Sequence, residues 1–465
     1  MQSLPFELLQ GIGSRVERLN DKKNLRETCS SLGGALQALV LEEVTLNIHK
    51  SNLQGLGLLR ALADPEKKYS RYIRTLNILS LSPHHFPDSN PNPTWKACAS
   101  SLQLDLDLVG EWLCDSEPGE GHEVCFRCVK VGTLLRPALE SLENVRAVRW
   151  HWNLKDGLST QTLVAESLST LKHIRDFKFS YFHPGPFDGE PPLCLPDLHN
   201  LETLSISVST GFRRTHLMTE KIIDPLLHHL LSRTERLSSL DLDTGTTHYP
   251  HFGLPVSFGI HVPSDISHIG LKGCYWSVSL TEGRWGFSKS LRACTHLTSL
   301  DLRVGDLGQS HQSIFNVLHS NQIRLRRIVI DSVTDPFLGY IASYSGLECL
   351  SIRFQPIRYP GIVTGMTEAE QFFRVILPLH RDTLVNLEIE PAYESEWCFS
   401  ESNMDALSRC QQLRNLSVKV RTKGMKDSTI KHLLPFSRAH KPNPVVSVFP
   451  AEILIATYRN HSIYC

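Results

Sequence analysis

One phrase, apolar-x-x-apolar-x-apolar with x mostly polar, recurs along the chain. It reads LEEVTL at Leu41, IRTLNI at Ile73, VRAVRW at Val145, IRDFKF at Ile174, LETLSI at Leu201 and LSSLDL at Leu237. It continues as ISHIGL at Ile266, LTSLDL at Leu297, LRRIVI at Leu325, LECLSI at Leu347, LVNLEI at Leu384 and LRNLSV at Leu413. The bare phrase arises by accident about fifteen times in a chain of this apolar content, so recurrence alone decides nothing. A polar residue or glycine at every x lowers the chance expectation to roughly four. Eight of the twelve copies meet that condition.

Spacing adds to the argument. Steps between the central apolar residues are 32, 72, 29, 27, 36, 29, 31, 28, 22, 37 and 29. The long step has room for two repeats, and SLQLDLDL at Ser101 to Leu108 supplies a candidate for the missing strand. VVSVF at Val445 to Phe449 is a candidate closing strand. Between phrases, Leu53 to Ala63, Lys221 to Leu231, Glu368 to Leu377 and Met404 to Cys410 carry apolar residues at helical spacing. Each unit therefore reads strand, turn, helix. One unit cannot bury its apolar strand face alone, and stacking places the strands in a parallel sheet with helices outside. Trp150, Phe177 and Phe179 fall within the phrases and are expected in the stacked core.

The repeat resembles the leucine-rich repeat in its long, irregular intracellular form. The fold class expected is α/β: a leucine-rich-repeat solenoid over 36–465, parallel strands on its concave face, preceded by a short all-α module over 1–35. The family usually places Asn or Cys three residues after the last apolar residue, where it bonds the turn backbone. Asn153 and Cys274 fit that position, whereas Ser209, Gly245, Gly305 and Ala392 do not. The resemblance thus implies a divergent member with uneven curvature and long loops.

At the N-terminus, Pro5 stands near a first helical position and Glu7 in the first turn, both favourable there. Leu4, Leu8, Leu9, Ile12 and Val16 make one apolar face, and Asp21 is placed to start a second helix carrying Leu25, Cys29 and Leu32. So few residues cannot form a core of their own and need a partner surface. One explanation is an N-terminal cap on the solenoid.

The other is a resemblance. Leu4, Pro5, Glu7, Leu8, Leu9, Ile12, Val16, Asp21, Leu25 and Cys29 are similar to the F-box, the helical module that docks onto the Skp adaptor of cullin-RING ubiquitin ligases. An F-box directly before a leucine-rich array is the layout of F-box/leucine-rich-repeat proteins, including large divergent fungal families. The resemblance implies adaptor binding through Leu4, Pro5, Glu7, Leu8, Leu9, Ile12, Val16 and Leu25. Lys22 and Lys23 stand where the family is usually apolar, Leu32 replaces its usual aromatic, and Gly11 and Gly13 weaken the first helix. An interaction scaffold that does not join a ligase is the alternative.

Composition narrows the classes. The 465 residues are 41% hydrophobic and 21% charged, an ordinary globular balance. Lys+Arg and Asp+Glu are both 48, so no net field draws the chain to nucleic acid or anionic lipid. No apolar run reaches the ~18 residues of a membrane-spanning helix, and the N-terminus lacks a signal-peptide pattern. The 12 cysteines are scattered, mostly in apolar segments, as reduced thiols are. The expected location is cytoplasmic or nuclear.

Candidate chemistry is sparse. Cys114, His122, Cys125 and Cys128 read C-x7-H-x2-C-x2-C and would offer zinc four ligands, but a single CxxC without a second pair is a weak signal. No phosphate loop, GxSxG elbow or HExxH occurs, so no enzyme, metal or cofactor is expected. Substrate contact is expected on the outward x residues of the strands: Asn77, Arg149, Lys178, Ser205, Asp241, Gly270, Asp301, Val329, Ser351, Glu388 and Ser417. Arg149, Lys178, Ser205, Asp241, Asp301, Ser351 and Glu388 are the chemically useful ones. The partners are then a Skp-type adaptor and a protein substrate, without nucleic acid or membrane. The loops Pro83 to Pro93 and Pro184 to Pro196 are further candidates for a partner peptide.

Overall fold

Parallel strands and intervening helices follow the repeated phrase. A computed structural model describes residues 5–49, 52–67, 69–82, 126–153, 156–183, 196–210, 224–231, 233–243, 254–255, 263–275, 291–303, 309–354, 366–392, 394–420 and 445–450. The chain divides into two units, Met1–Arg213 with Pro225–Leu237 and Arg214–Asp224 with Ser238–Cys465. The candidate strand at 101–108 lies outside the described residues.

The first unit opens with three helices: α1 (Phe6–Ser14), α2 (Leu19–Thr28) and α3 (Ser30–Leu41). Cys29 is extended, with φ −160° and ψ 161°, and breaks the expected second helix. The break lets Leu25 and Cys29 on one side, and Leu32, Ala35 and Leu36 on the other, close around Leu9. Asp21 lies in the first turn of α2, where its charge suits the helix N-terminus. Gly13 allows the contact between α1 and α3, since a Cβ there would stand 1.9 Å from Leu36 Cδ2. What reads in sequence as a weak helical position is thus a packing requirement. α3 runs past residue 35, so the expected boundary cuts a helix whose Leu36 belongs to the same small core.

Five strands complete this unit: β1 (Glu43–His49), β2 (Thr75–Ser82), β3 (Ala147–Trp152), β4 (Asp176–His183) and β5 (Thr203–Thr210). They pair in that order, all parallel. Helices α4 (Gln54–Ala63), α5 (Phe126–Glu140), α6 (Leu158–Thr170) and α7 (Asp224–Leu231) intervene or follow. Val44, Leu76, Val148, Phe177 and Leu204, the central residues of successive phrases, are paired neighbours in one buried row.

Among the described residues, the second unit repeats the scheme with eight parallel strands in one sheet: β6 (Ser239–Asp243), β7 (His268–Lys272), β8 (Ser299–Arg303), β9 (Arg327–Ile330), β10 (Cys349–Arg353), β11 (Asn386–Glu390), β12 (Asn415–Val420) and β13 (Val445–Pro450). The last is the closing strand expected from VVSVF. Leu240, Ile269, Leu300, Ile328, Leu350, Leu387 and Leu416 form its buried central row. Its helices are α8 (Gln309–Ser320), α9 (Asp335–Ala342), α10 (Met366–Gln371) and α11 (Glu401–Ser408). α10 runs on through a π-helical turn, Phe372–Ile376, just before Pro378. Pro378 has no N–H to close an α-turn, and the widened turn accompanies burial of Phe372, Phe373 and Ile376 together.

The phrase has a backbone signature too. The carbonyl at its second position accepts two N–H groups from the next copy: Glu42 O takes Arg74 N and Thr75 N at 2.9 and 3.0 Å. The same pair recurs from Thr298 O to Arg326 N and Arg327 N, and from Glu348 O to Val385 N and Asn386 N. The fold is therefore α/β and solenoid-like within each unit, its strand register set by the phrase.

Candidate functional site

Two surfaces carry the candidate residues. On α1, the helical period that turns Leu9 inward leaves its neighbours outside: Leu8 is 55% exposed and Ile12 49%, and Phe6 beside them is 50% exposed. Pro5 and Glu7 are also exposed, Val16 and Leu25 are partly buried, and Leu4 lies outside the described residues. The expected adaptor-binding set is thus divided. Leu9 and Leu25 pack in the small core, while Pro5, Glu7, Leu8 and Ile12 remain available, joined by Phe6, which the sequence reading missed. A strict helical count places Phe6, three residues before Leu9, on the same face, yet at the first turn of α1 it is left half-exposed.

The second surface is the strand face opposite the buried row. In the first unit Asn77, Arg149, Lys178 and Ser205 are paired neighbours, in the register the phrase predicts. Arg149 Nη1 lies 3.2 Å from Glu43 Oε1, and Asn77 Nδ2 donates to that same oxygen at 2.8 Å. Burial raises the Asp176 carboxyl above its ordinary range, against the pull of Arg149 and Lys178.

In the second unit the corresponding row is Asp241, Gly270, Asp301, Val329, Ser351, Glu388 and Ser417. Gly270, Asp301 and Val329 are buried, as is Asn77 in the first unit, which corrects the expectation that the whole row is open. For Asp301 the reason is the residue two further along its strand, which shares the face by the period of two. Arg303 donates to both carboxylate oxygens of Asp301, at 2.9 and 2.7 Å, and covers it. Lys272 Nζ stands 3.9 Å from Asp241 and 3.7 Å from Asp301. Burial disfavours the Arg303 charge, but Asp301, Asp243 and Asp331 outweigh it and hold the guanidinium protonated more firmly than usual. Gly270 is small for a reason: a Cβ there would meet Asp241 Oδ1 at 2.0 Å.

A second network lies further along. Ser351 donates to Glu388 at 2.6 Å and Arg353 at 2.8 Å. Burial opposes the Glu388 charge, yet these donors hold its carboxyl below the usual range, while burial and the Glu388 charge push Glu390 up. Lys272, Arg303, Arg353 and Glu390 were missed because only the x inside the phrase was counted; extending the alternation by one position finds them.

His268 Nδ1 lies 2.8 Å from Ser299 Oγ, and its Nε2 lies 3.4 Å from Asp241 Oδ1. The chain of three has the composition of a hydrolytic triad, but Ser299 sits in a regular strand whose N–H is committed to Ser267 O. That geometry supplies no sharp turn to present the hydroxyl and no oxyanion donors from its own backbone. Among the described residues, no group of three or more His, Cys, Asp or Glu is placed to hold a metal ion. Cys114, His122 and Cys125 lie outside the described residues, as do 83–93 and 184–195. Cys294 and Cys410 are buried, with thiols pushed up to about 11 by that burial. No helix among the described residues is long and apolar enough to cross a membrane.

No known family model matches the chain, and no curated protein matches it.

Proposed function

We propose that the chain is a non-enzymatic adaptor that joins a protein substrate to a cullin-RING ubiquitin ligase. In this reading α1 to α3 form a divergent F-box that docks on the Skp adaptor, and the strand array is a divergent leucine-rich-repeat solenoid that holds the substrate. The observation that carries it is the division of α1. Phe6, Leu8 and Ile12 are half-exposed beside Pro5, although Leu9 in the same helix is 3% exposed. Half-exposed large apolar side chains on one short helix gain roughly 25 cal/mol per Å² when a partner covers them. Pro5, Leu8 and Ile12 are also residues the F-box resemblance assigns to the adaptor.

The strand face supports the second half: its outward residues arrive in register, several with charges already oriented by their neighbours. The mechanism is proximity. Holding ligase and substrate on one chain raises the effective concentration of each near the other. A cytoplasmic or nuclear location belongs to the same proposal.

Co-purification of the full chain with a Skp adaptor tests it. The unaltered chain retains the adaptor, and Leu8→Asp with Ile12→Asp releases it without lowering the melting temperature, because both positions are exposed. Failure of the unaltered chain to retain the adaptor sinks the ligase role. It leaves the interaction scaffold, which the exposed Lys23 on α2 favours.

A further inference from the structure

A groove in the second unit, lined by none of the residues of the surfaces above, has the chemistry of an anion site. It encloses about 790 Å³ and crosses three successive turns, at 295–298, 321–326 and 344–348, each leading into a strand. Adjacent strands lie ~4.8 Å apart, so three turns span ~10 Å, the length of about three extended residues.

Its charged residues are Arg324, Arg326, Glu348 and His296. Arg326 and Glu348 form a pair at 3.5 Å. Arg324 has no ion pair among the described residues and is exposed, which leaves the groove one positive charge in excess with His296 neutral. The floor is rigid. Tyr344 donates to Leu325 O at 3.0 Å, and Tyr340 accepts from Leu325 N at 3.1 Å.

Backbone conformation adds an independent observation. Gly346 and Gln322 both have positive φ, 112° and 54°, and both line the groove. Gln322 closes the end of α8, where Ile323 N donates to Leu318 O at 3.1 Å. Glycine is the usual residue at such a helix end, and any other pays for the left-handed conformation. An amide side chain kept there at that cost points at the groove's use rather than at the helix's stability. Gln322, Thr295 and Ser345 bring hydrogen-bonding groups to the rim beside the Arg324 fork.

We infer that this groove binds an acidic peptide segment, a few extended residues carrying carboxylates, with Arg324 as its principal anchor. A polynucleotide fits less well. Tyr344 is buried, so its ring offers no stacking platform to a base, and the chain has no net positive charge. The inference does not depend on what α1 holds.

The test titrates fluorescein-labelled hexaglutamate into the purified full chain at low salt, followed by anisotropy. Saturable binding is expected, weakened about tenfold by Arg324→Glu, the loss of one charge-assisted contact. Gln322→Gly weakens it by a smaller factor without lowering the melting temperature, and Arg409→Glu, at a residue that pairs with Asp405 and does not line the groove, leaves it unchanged. Absence of hexaglutamate binding, equal binding by the Arg324→Glu chain, or tighter binding of hexathymidylate overturns the inference.

Discussion

The two units fill their cores in opposite ways. In the first, bulk comes from the strands: Trp150, Trp152, Phe177, Phe179 and Tyr181 are buried on β3 and β4, with Trp150 and Phe179 packed edge to face at 5.7 Å. The buried residues of the neighbouring α6 include small ones, Ala165 and Ser167. In the second, the strands carry leucine and isoleucine, and helical or helix-flanking segments bring the rings: Phe315 and Phe337 at 5.0 Å, Tyr340 and Tyr344 at 5.2 Å. The repeat therefore prescribes a buried position, not a side-chain size.

The buried polar groups differ in the same way. In the first unit Asp156 accepts from Leu81 N at 2.9 Å, and burial raises its carboxyl to about 7 against that bond. In the second, Tyr340 and His380 satisfy backbone groups. Tyr340 donates to Ile323 O at 2.8 Å, while His380 Nδ1 accepts from Leu347 N at 3.3 Å and its Nε2 donates to Ile341 O at 3.0 Å. Burial favours the uncharged form of both groups, the protonated carboxyl in one unit and the deprotonated imidazole in the other.

The largest test of this contrast is Trp150→Ala, expected to destabilise by ~3–5 kcal/mol because its buried neighbours relax only partly into the space left. A loss under ~1 kcal/mol in urea unfolding would mean that the strand rings are not the bulk of that core. Next is pH. Asp156 has a folded value above its unfolded 3.8, so its contribution is full below 3.8 and lost as pH rises through about 7. Asp156→Asn keeps the acceptor for Leu81 and should remove a decline on the order of a few kcal/mol between pH 4 and 7. His380 has the opposite sign. Burial lowers it below the unfolded 6.5, so its contribution is present above 6.5 and lost as pH falls below it; His380→Gln should flatten that limb. If urea midpoints of both variants keep the parent's pH dependence, these groups are not the source.

Tyr340→Phe should cost ~1–3 kcal/mol, since Leu325 N–H and Ile323 C=O lose the hydroxyl that serves both. Thermal unfolding measures it. Smallest is Ser167→Ala. Among the described residues the buried Ser167 hydroxyl has no hydrogen-bond partner, so its removal should be neutral or stabilising by up to ~1 kcal/mol. A clear loss of melting temperature would show that the hydroxyl has a role beyond filling space.

Much of the fold is legible before folding. The strand positions, their register and the closing strand at Val445 all follow from the period of two inside the phrase, because that period decides which side of a strand each residue occupies. The candidate surfaces were legible only in part. Lys272, Arg303 and Arg353 share the face of Asp241, Asp301 and Ser351, yet lie one residue beyond the phrase that was counted. The groove around Arg324 carries no motif, since its walls come from turns that lie far apart in sequence.

What the sequence alone determined is therefore one-dimensional: which residues alternate, where a helix is able to start, and that apolar faces outnumber what a single repeat can bury. The tertiary structure decided who meets whom. It turned Leu9 inward and left Leu8 outside, split the expected helix at Cys29, and required glycine at 13 because Leu36 lies against it. It also set Arg303 across Asp301 and distributed ring volume differently in the two units. The reason is range. Periodicity acts within one element, whereas packing and charge pairing act between elements whose distance along the chain leaves no local trace.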